Sequence, residues 1–284
     1  MTKNPKSIHD WGSLPVRLPA VVVIVQDKGG EGKSLATLAL ADRARISEIP
    51  TVVVQVDDQG RLPRLLGPDV VTITIDARAT RRDPSVEPRA FTPLYEAIES
   101  NAGCGGLVIV EFGANMAGRG AVWAGMVDLA EDLHTMGVTP VIVTPYGATA
   151  ESMRLGARAA GLWLEKVPDA ALVLIENGRD GQIADLHPAS DAAAAYRDVI
   201  VPLQARAATL QMPLIEGRSW NVFEAAGIRP VDVVTMPVAD LMAVTGLPKP
   251  EAKIARGDVA AWAAVVFDEF DRAFDFGGSD TDGH

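Results

Sequence analysis

The chain has 284 residues, 48% of them hydrophobic and 22% charged, with a formal net charge of −11. Those proportions suit a globular chain with a substantial core and exclude a disordered one. The acidic balance also excludes a surface that is basic overall, so a lone monomer would bind DNA against its own field.

Residues 1–19 include Asp10, Pro15 and Pro19 and have no apolar stretch, so they read as a lead segment and not as a secretory signal. Ala20–Gln26 reads as a buried strand. After it comes Lys28-Gly29-Gly30-Glu31-Gly32-Lys33-Ser34. Three glycines in four positions let the backbone curl so that several N–H groups point at one anion. Ser34–Arg45 reads as a helix whose positive end faces the same anion. Lys33 can then reach outer phosphates, and Ser34 can offer a hydroxyl to Mg2+. The plainer alternative is a Gly-rich turn between strand and helix.

Thr51–Val56 is the next strand, ending in Gln55-Val56-Asp57-Asp58-Gln59-Gly60. Asp57 supplies a carboxylate at the strand's C-terminal edge, where ligands bind in open α/β sheets, and Asp58 takes its place if the register shifts by one. Val70–Ile75 reads as a strand, Arg78–Arg89 as a polar loop and Leu94–Ser100 as a short helix. The strand Leu107–Phe112 carries Glu111 near its end, the Walker B pattern that positions Mg2+, usually through water. Otherwise Glu111 is an ordinary solvated glutamate. Helix Ala121–Met136, strand Pro140–Thr144, helix Thr149–Leu164, strand Ala171–Glu176 and a mostly helical Ala189–Leu210, interrupted near Pro202, complete the pattern. Strands alternating with helices of this length predict an α/β fold, a mostly parallel sheet with helices on both faces; with the loop Lys28–Ser34 after its first strand it resembles a P-loop NTPase-like fold. No linker divides residues 20–276, which are expected to form a single domain.

Val259–Phe276 is an amphipathic helix, with Ala263, Phe267, Phe270 and Phe274 on one face. Its acidic residues, Asp268, Glu269, Asp271 and Asp275, would be repelled by anionic lipid, so it is expected to pack on the body and not on a membrane. No apolar run is long enough to span a membrane. Gly277–His284 is expected to be a disordered tail. The single cysteine, Cys104, rules out an internal disulfide framework and fits a reducing cytoplasm.

The motif K-G-G-x-G-K-S resembles the deviant Walker A motif of the ParA/MinD family of dimerising ATPases, and the order of strands and helices resembles that family over roughly residues 20–250. The resemblance implies ATP and Mg2+ as cofactors, a homodimer that closes when ATP is bound, and slow hydrolysis stimulated by a partner. Lys28 would then cross the interface to the nucleotide of the other subunit. Lys33 would hold the outer phosphates and Asp57 the attacking water. Gly29, Gly30, Glu31, Gly32, Lys33, Ser34 and Leu35 would cradle the nucleotide, with Ser34, Asp57 and Glu111 around the metal. Asn177 sits where relatives place an adenine-reading asparagine, although it reads equally well as a turn residue before Gly178. Met212–Glu216 lies near the expected base pocket. The preference for ATP over GTP comes from the resemblance alone.

The chain departs from the family pattern at several points. Gln55 replaces an aspartate, Asp58 a proline, Leu35 a threonine and Glu111 the usual aspartate. Glu31 puts a carboxylate into an anion-binding loop, so it is expected to point outward, toward the partner subunit. One cysteine cannot form the two-cysteine cluster site of the nitrogenase-iron-protein-like relatives. Only 27 residues precede Lys28. The chain therefore resembles the small members, which leave sequence-specific DNA recognition to a ParB-like or adaptor partner. Arg78, Arg81, Arg82 and Arg89 could contact DNA phosphates non-specifically or form a solvated segment. The biological role implied is DNA (plasmid) partition or positioning. The alternatives are positioning of a protein cargo or cell-pole structure, or a weakly hydrolysing nucleotide-binding scaffold.

Overall fold

The computed structural model describes residues 15–57 and 59–276; residues 1–14, Asp58 and the tail 277–284 lie outside the described residues. The elements follow in chain order. They are β1 (Val16–Arg17), β2 (Ala20–Ile24), α1 (Lys33–Ile46), β3 (Thr51–Val56), α2 (Arg61–Leu66), β4 (Val71–Ile73), α3 (Ala77–Arg82), α4 (Val86–Ala90), α5 (Thr92–Ala102) and β5 (Leu107–Phe112). Next come α6 (Ala117–Met126), α7 (Leu129–Met136), β6 (Thr139–Tyr146), α8 (Ala150–Lys166), β7 (Ala171–Asn177), α9 (Asp191–Ala195), α10 (Val201–Gln204) and β8 (Ala207–Met212). The chain ends with α11 (Trp220–Ala225), α12 (Pro230–Thr235), α13 (Val238–Thr245), α14 (Lys249–Ala273) and β9 (Phe274–Asp275).

Seven strands form one sheet in the order β4-β3-β5-β2-β6-β7-β8. Every pairing in it is parallel. Parallel strands need cover on both faces, and the side chains alternate accordingly. Val22 and Ile24 of β2 face the cluster built with α1 and α14, whereas Val21 and Val23 face the one built with α5, α6 and α8. From the central β2 the chain propagates to β3 and β4 on one side and to β6, β7 and β8 on the other. This is a topological switch point, which leaves a crevice at the carboxyl ends of the strands.

Several expectations from sequence are corrected. Arg78–Arg89 is not a loop: Asp76 accepts hydrogen bonds from the Arg78 and Ala79 N–H groups and starts α3, and α4 follows. The predicted helix Ala121–Met136 starts earlier and is two helices, α6 and α7, divided where Asp128 takes a left-handed backbone (φ 49°). The end of Ala189–Leu210 is a strand: β8 pairs with β7 from Ala207 to Met212, and that pairing outweighs the helical propensity of its alanines. The C-terminal amphipathic helix packs on the body as expected, but it runs Lys249–Ala273, and Phe274, expected on its apolar face, lies in β9 paired with β1. Val259, Trp262, Ala263, Val266 and Phe270 of α14 are buried, and its acidic face meets the body through the Asp271–Arg43 pair at 2.7 Å. Among the described residues no helix is long and apolar enough to cross a membrane.

One buried charge fastens α1 to α12. Asp42 lies 3.4 Å from Arg229 Nη1 and accepts a 3.3 Å hydrogen bond from the Val231 N–H. Burial pushes its carboxyl up to about 6, against the pull of the Arg229 charge. Because the folded-state value lies above the unfolded one of about 3.9, the folded chain holds this proton more tightly. Asp42 therefore costs stability as pH rises from about 4 to about 6, and the full cost is present above that window. Urea unfolding of wild type and Asp42→Asn across pH 4 to 7 should show the wild type losing about 2–3 kcal/mol relative to the variant. A difference that stays constant with pH would contradict this account.

Candidate functional site

The crevice holds a cleft of about 740 Å3, lined by residues 29–35 and by Asp57, Glu111 and Asn177, among others. The structure thus brings together every site residue expected from the sequence except Lys28, which stands just behind the loop. Gly30 and Gly32 have left-handed backbones (φ 79° and 90°). Gly32 must also lack a side chain, since a Cβ there would come within 2.6 Å of Asn177 Nδ2. This curl aims the loop's N–H groups and the start of α1 at one point.

Lys33 is buried at that point. Its Nζ donates to the Gln26 carbonyl at 2.6 Å and to the Lys28 carbonyl at 3.3 Å. Burial lowers its pKa, with the nearby charges of Glu111, Asp27 and Asp57 opposing. Glu111 is buried against α1. Its two oxygens accept hydrogen bonds from Ser34 Oγ at 2.7 Å and from Thr37 Oγ1 at 2.6 Å. Burial raises its pKa, while these two hydroxyls and the Lys33 charge pull it down. The solvated-glutamate alternative therefore does not describe this residue. Thr37 escaped the sequence reading, although its place three residues beyond Ser34 puts both hydroxyls on one helix face.

Asp57 Oδ1 accepts from the Gln59 N–H at 3.3 Å. Its carboxylate lies so close to Gly113 that a Cβ on that glycine would come 2.7 Å from Oδ2. The glycine after the Glu111 strand is thus matched to the aspartate. Gln55, in place of the family's first aspartate, serves the structure, since its buried Oε1 accepts from the Leu62 N–H at 2.8 Å and caps α2. Both ends of the Asn177 amide are engaged, with Nδ2 donating to the Glu31 carbonyl and Oδ1 accepting from the Arg179 N–H. Leu35 lines the cleft and packs against the core.

No protein-family model and no curated protein sequence matches the chain. The fold is similar to solved structures. In the MinC:MinD cell division complex of Aquifex aeolicus the matched chain is 16% identical with a TM-score of 0.43, covering 85% of this chain and 95% of that one. Apo McdA of Cyanothece is 15% identical with a TM-score of 0.45, covering 86% and 99%. FlhF complexed with GMPPNP and Mg2+ is 11% identical with a TM-score of 0.40, covering 72% and 69%. The P-loop NTPase-like character of the fold stands on the chain's own parallel strand order and the glycine-rich loop between β2 and α1.

Glu31 is a correction. It does not point outward but is 4% exposed, turned into the protein. Its carboxylate pairs with Lys28 Nζ at 3.0 Å and accepts from Ser152 Oγ at 2.6 Å. Ser152 in turn accepts from the Gly147 N–H. A cation and a hydroxyl compensate the buried charge. Lys28 also donates to Thr149 Oγ1 at 3.1 Å and stands 3.7 Å from Glu151. Burial alone would lower the Lys28 pKa, but Glu31, Glu151 and Asp180 outweigh it and raise the value.

Mg2+ fits the donor set. Mg2+ takes hard oxygens, keeps several waters and needs only one or two protein groups beside phosphate. Ser34 and Glu111 supply a hydroxyl and a carboxylate in contact. Among the described residues no group of three or more His, Cys, Asp or Glu forms an all-protein cage. Replacing Glu31 by alanine should leave Lys28 and Ser152 without their main partner and cost about 1–3 kcal/mol. Denaturant unfolding of the nucleotide-free protein measures this; a loss under about 0.5 kcal/mol, the range of neutral surface changes, would count against the bracing role.

Proposed function

We propose that residues 20–276 form an ATPase domain of the ParA/MinD type, which dimerises on ATP and acts as a positioning switch. The observation that carries this reading is the contact of Ser34 and Thr37 with Glu111, beside Lys33 at the mouth of a curled glycine loop. These groups match what a nucleotide triphosphate and its metal require. Lys33 and the loop N–H groups hold the phosphates, and Ser34 and Glu111 hold Mg2+. Mg2+, when bound, draws negative charge from the phosphate oxygens. Asp57, seated against Gly113, orients the attacking water. In the ATP-bound dimer Lys28 exchanges Glu31 and Glu151 for the phosphates of the second subunit. Phosphate charge buried between subunits needs such a cation.

Titration with a fluorescent ATP analogue tests the core of this reading. Lys33→Ala should abolish binding, and unchanged affinity would remove the phosphate-loop assignment. Lys28→Ala should keep most of the affinity but lose ATP-dependent dimerisation in light scattering. A variant that still dimerises normally would sink the cross-interface role. Asp57→Ala should slow hydrolysis by about 10²–10⁴-fold and prolong the ATP-bound dimer.

The cargo we favour is DNA, bound without sequence preference. Arg78, Arg81, Arg82 and Arg89 are all exposed on or beside α3 and α4, next to the edge strand β4. Dimerisation would bring two such patches together against the acidic field of the whole. Arg81→Ala with Arg82→Ala should weaken ATP-dependent shifts of random duplex and flatten their salt dependence between about 50 and 200 mM. No shift by the wild type with ATP at the lower salt would favour a protein cargo.

A further inference from the structure

The segment after β8 does not simply leave the sheet edge. From Pro213 to Glu224 it runs along the cleft and ends against Arg61 of α2. Pro213, Leu214, Ile215, Trp220 and Glu224 all line the same cleft as the phosphate loop. The segment is fastened at that end. Arg61, the first residue of α2, donates from Nε to Glu224 Oε1 at 2.9 Å, with a second contact from Nη2. Arg64 Nη2 reaches the Glu224 carbonyl at 3.5 Å. Beyond the clasp lies a second hollow of about 520 Å3, lined by Gln59, Gly60, Arg64 and Asn221. Arg61 and Glu224 line both spaces, so the ion pair stands between them.

We propose that Arg61 is a phosphate-binding residue of the same chain, which Glu224 holds at the rim until the nucleotide's terminal phosphate draws it into the cleft. This rests on the nucleotide reading above. The sheet order supports the choice of phosphate. Asn177 and Pro213–Ile215 stand at the carboxyl ends of β7 and β8, on one side of β2. Glu111 and Asp57 stand at the ends of β5 and β3, on the other side. A nucleotide with its base toward β7 and β8 points its last phosphate toward Glu111 and Asp57. Arg61 follows Asp57 by four residues in that same turn. Arg61 lines the same cleft as Glu111 and Asp57. The Arg61 side chain is 48% exposed and that of Glu224 23%. A pair this open is worth little in water, whereas an arginine fork on a phosphate is a stronger, charge-assisted contact. The exchange therefore favours the phosphate.

The test uses the full chain with Mg2+ and fluorescent analogues of ATP and ADP, titrated separately. Arg61→Ala should weaken the ATP analogue by about tenfold, the size of one lost charge-assisted hydrogen bond, and the ADP analogue by less than about twofold. Arg61→Lys keeps the charge and should fall between wild type and alanine. Glu224→Gln frees the arginine and should tighten the ATP analogue by about two- to fivefold, the scale of an exposed ion pair. The double variant Arg61→Ala with Glu224→Gln should lose that gain. An ATP-to-ADP affinity ratio unchanged by Arg61→Ala would overturn the proposal. So would a Glu224→Gln variant that binds both analogues more weakly, because Glu224 would then be a wall of the cleft and not a holder of Arg61. If the wild type binds both analogues and the variants miss these outcomes, only the Arg61 role falls. If the wild type binds neither, the nucleotide reading falls with it.

Discussion

The buried carboxylate of Glu111 ties the site to the fold. It ends a strand in the middle of the sheet, where a bare charge would be costly, and two hydroxyls from α1 compensate it. That contact fixes the helix that follows the phosphate loop against the strand that carries the acid. Ser34 and Thr37 are thereby held on Glu111, while Lys33 is held by the Gln26 and Lys28 carbonyls. Moving either partner would leave a buried polar group unpaired, so the spacing of loop, helix and strand is held by electrostatics as well as by packing.

A second set of contacts holds the loop from behind. Gln26 reaches the Pro145 and Ser152 carbonyls, Glu31 takes the Ser152 hydroxyl, and Asn177 donates to the Glu31 carbonyl. The loop is thus braced against the ends of β6 and β7. Lys28 belongs to this brace, bound to Glu31 and Thr149. A residue read as a free cation for a second subunit is, in the single chain, part of an ion-paired cluster. Its release has an energetic cost that depends on Glu31, a carboxylate inside the same seven-residue motif. The loop therefore carries both the cation and the group that restrains it.

Much of the fold was legible in the sequence because its strands are short apolar runs bounded by turn residues. Thr51–Val56 and Leu107–Phe112 match their predicted bounds, since β-branched residues on both faces leave no other reading. The failures have different causes: a local cap at Asp76 starts α3, a left-handed Asp128 divides α6 from α7, and strand pairing decides β8. β8 is built from Ala207-Ala-Thr-Leu-Gln-Met212, whose composition carries no strand signal, and only the edge of β7 makes it a strand. The helices α12 and α13 are short, and they form because they pack on α14, α12 on α1 as well.

The sequence by itself determined the chemistry of the loop: three glycines, Lys33 and Ser34, placed between a buried strand and a helix. It also determined the class of the sheet, because parallel strands covered on both faces write a periodicity that neighbours cannot change. Only the tertiary structure decided where charged side chains turn. Glu31 looked like a carboxylate repelled into solvent and is instead buried, because Lys28 and Ser152 meet it there. Gln55 looked like a lost acid and is a helix cap. Glu224 showed no role until the chain folded it onto Arg61, 163 residues away. A backbone curl follows from local sterics, whereas the direction of a charge depends on partners that only the fold brings within reach.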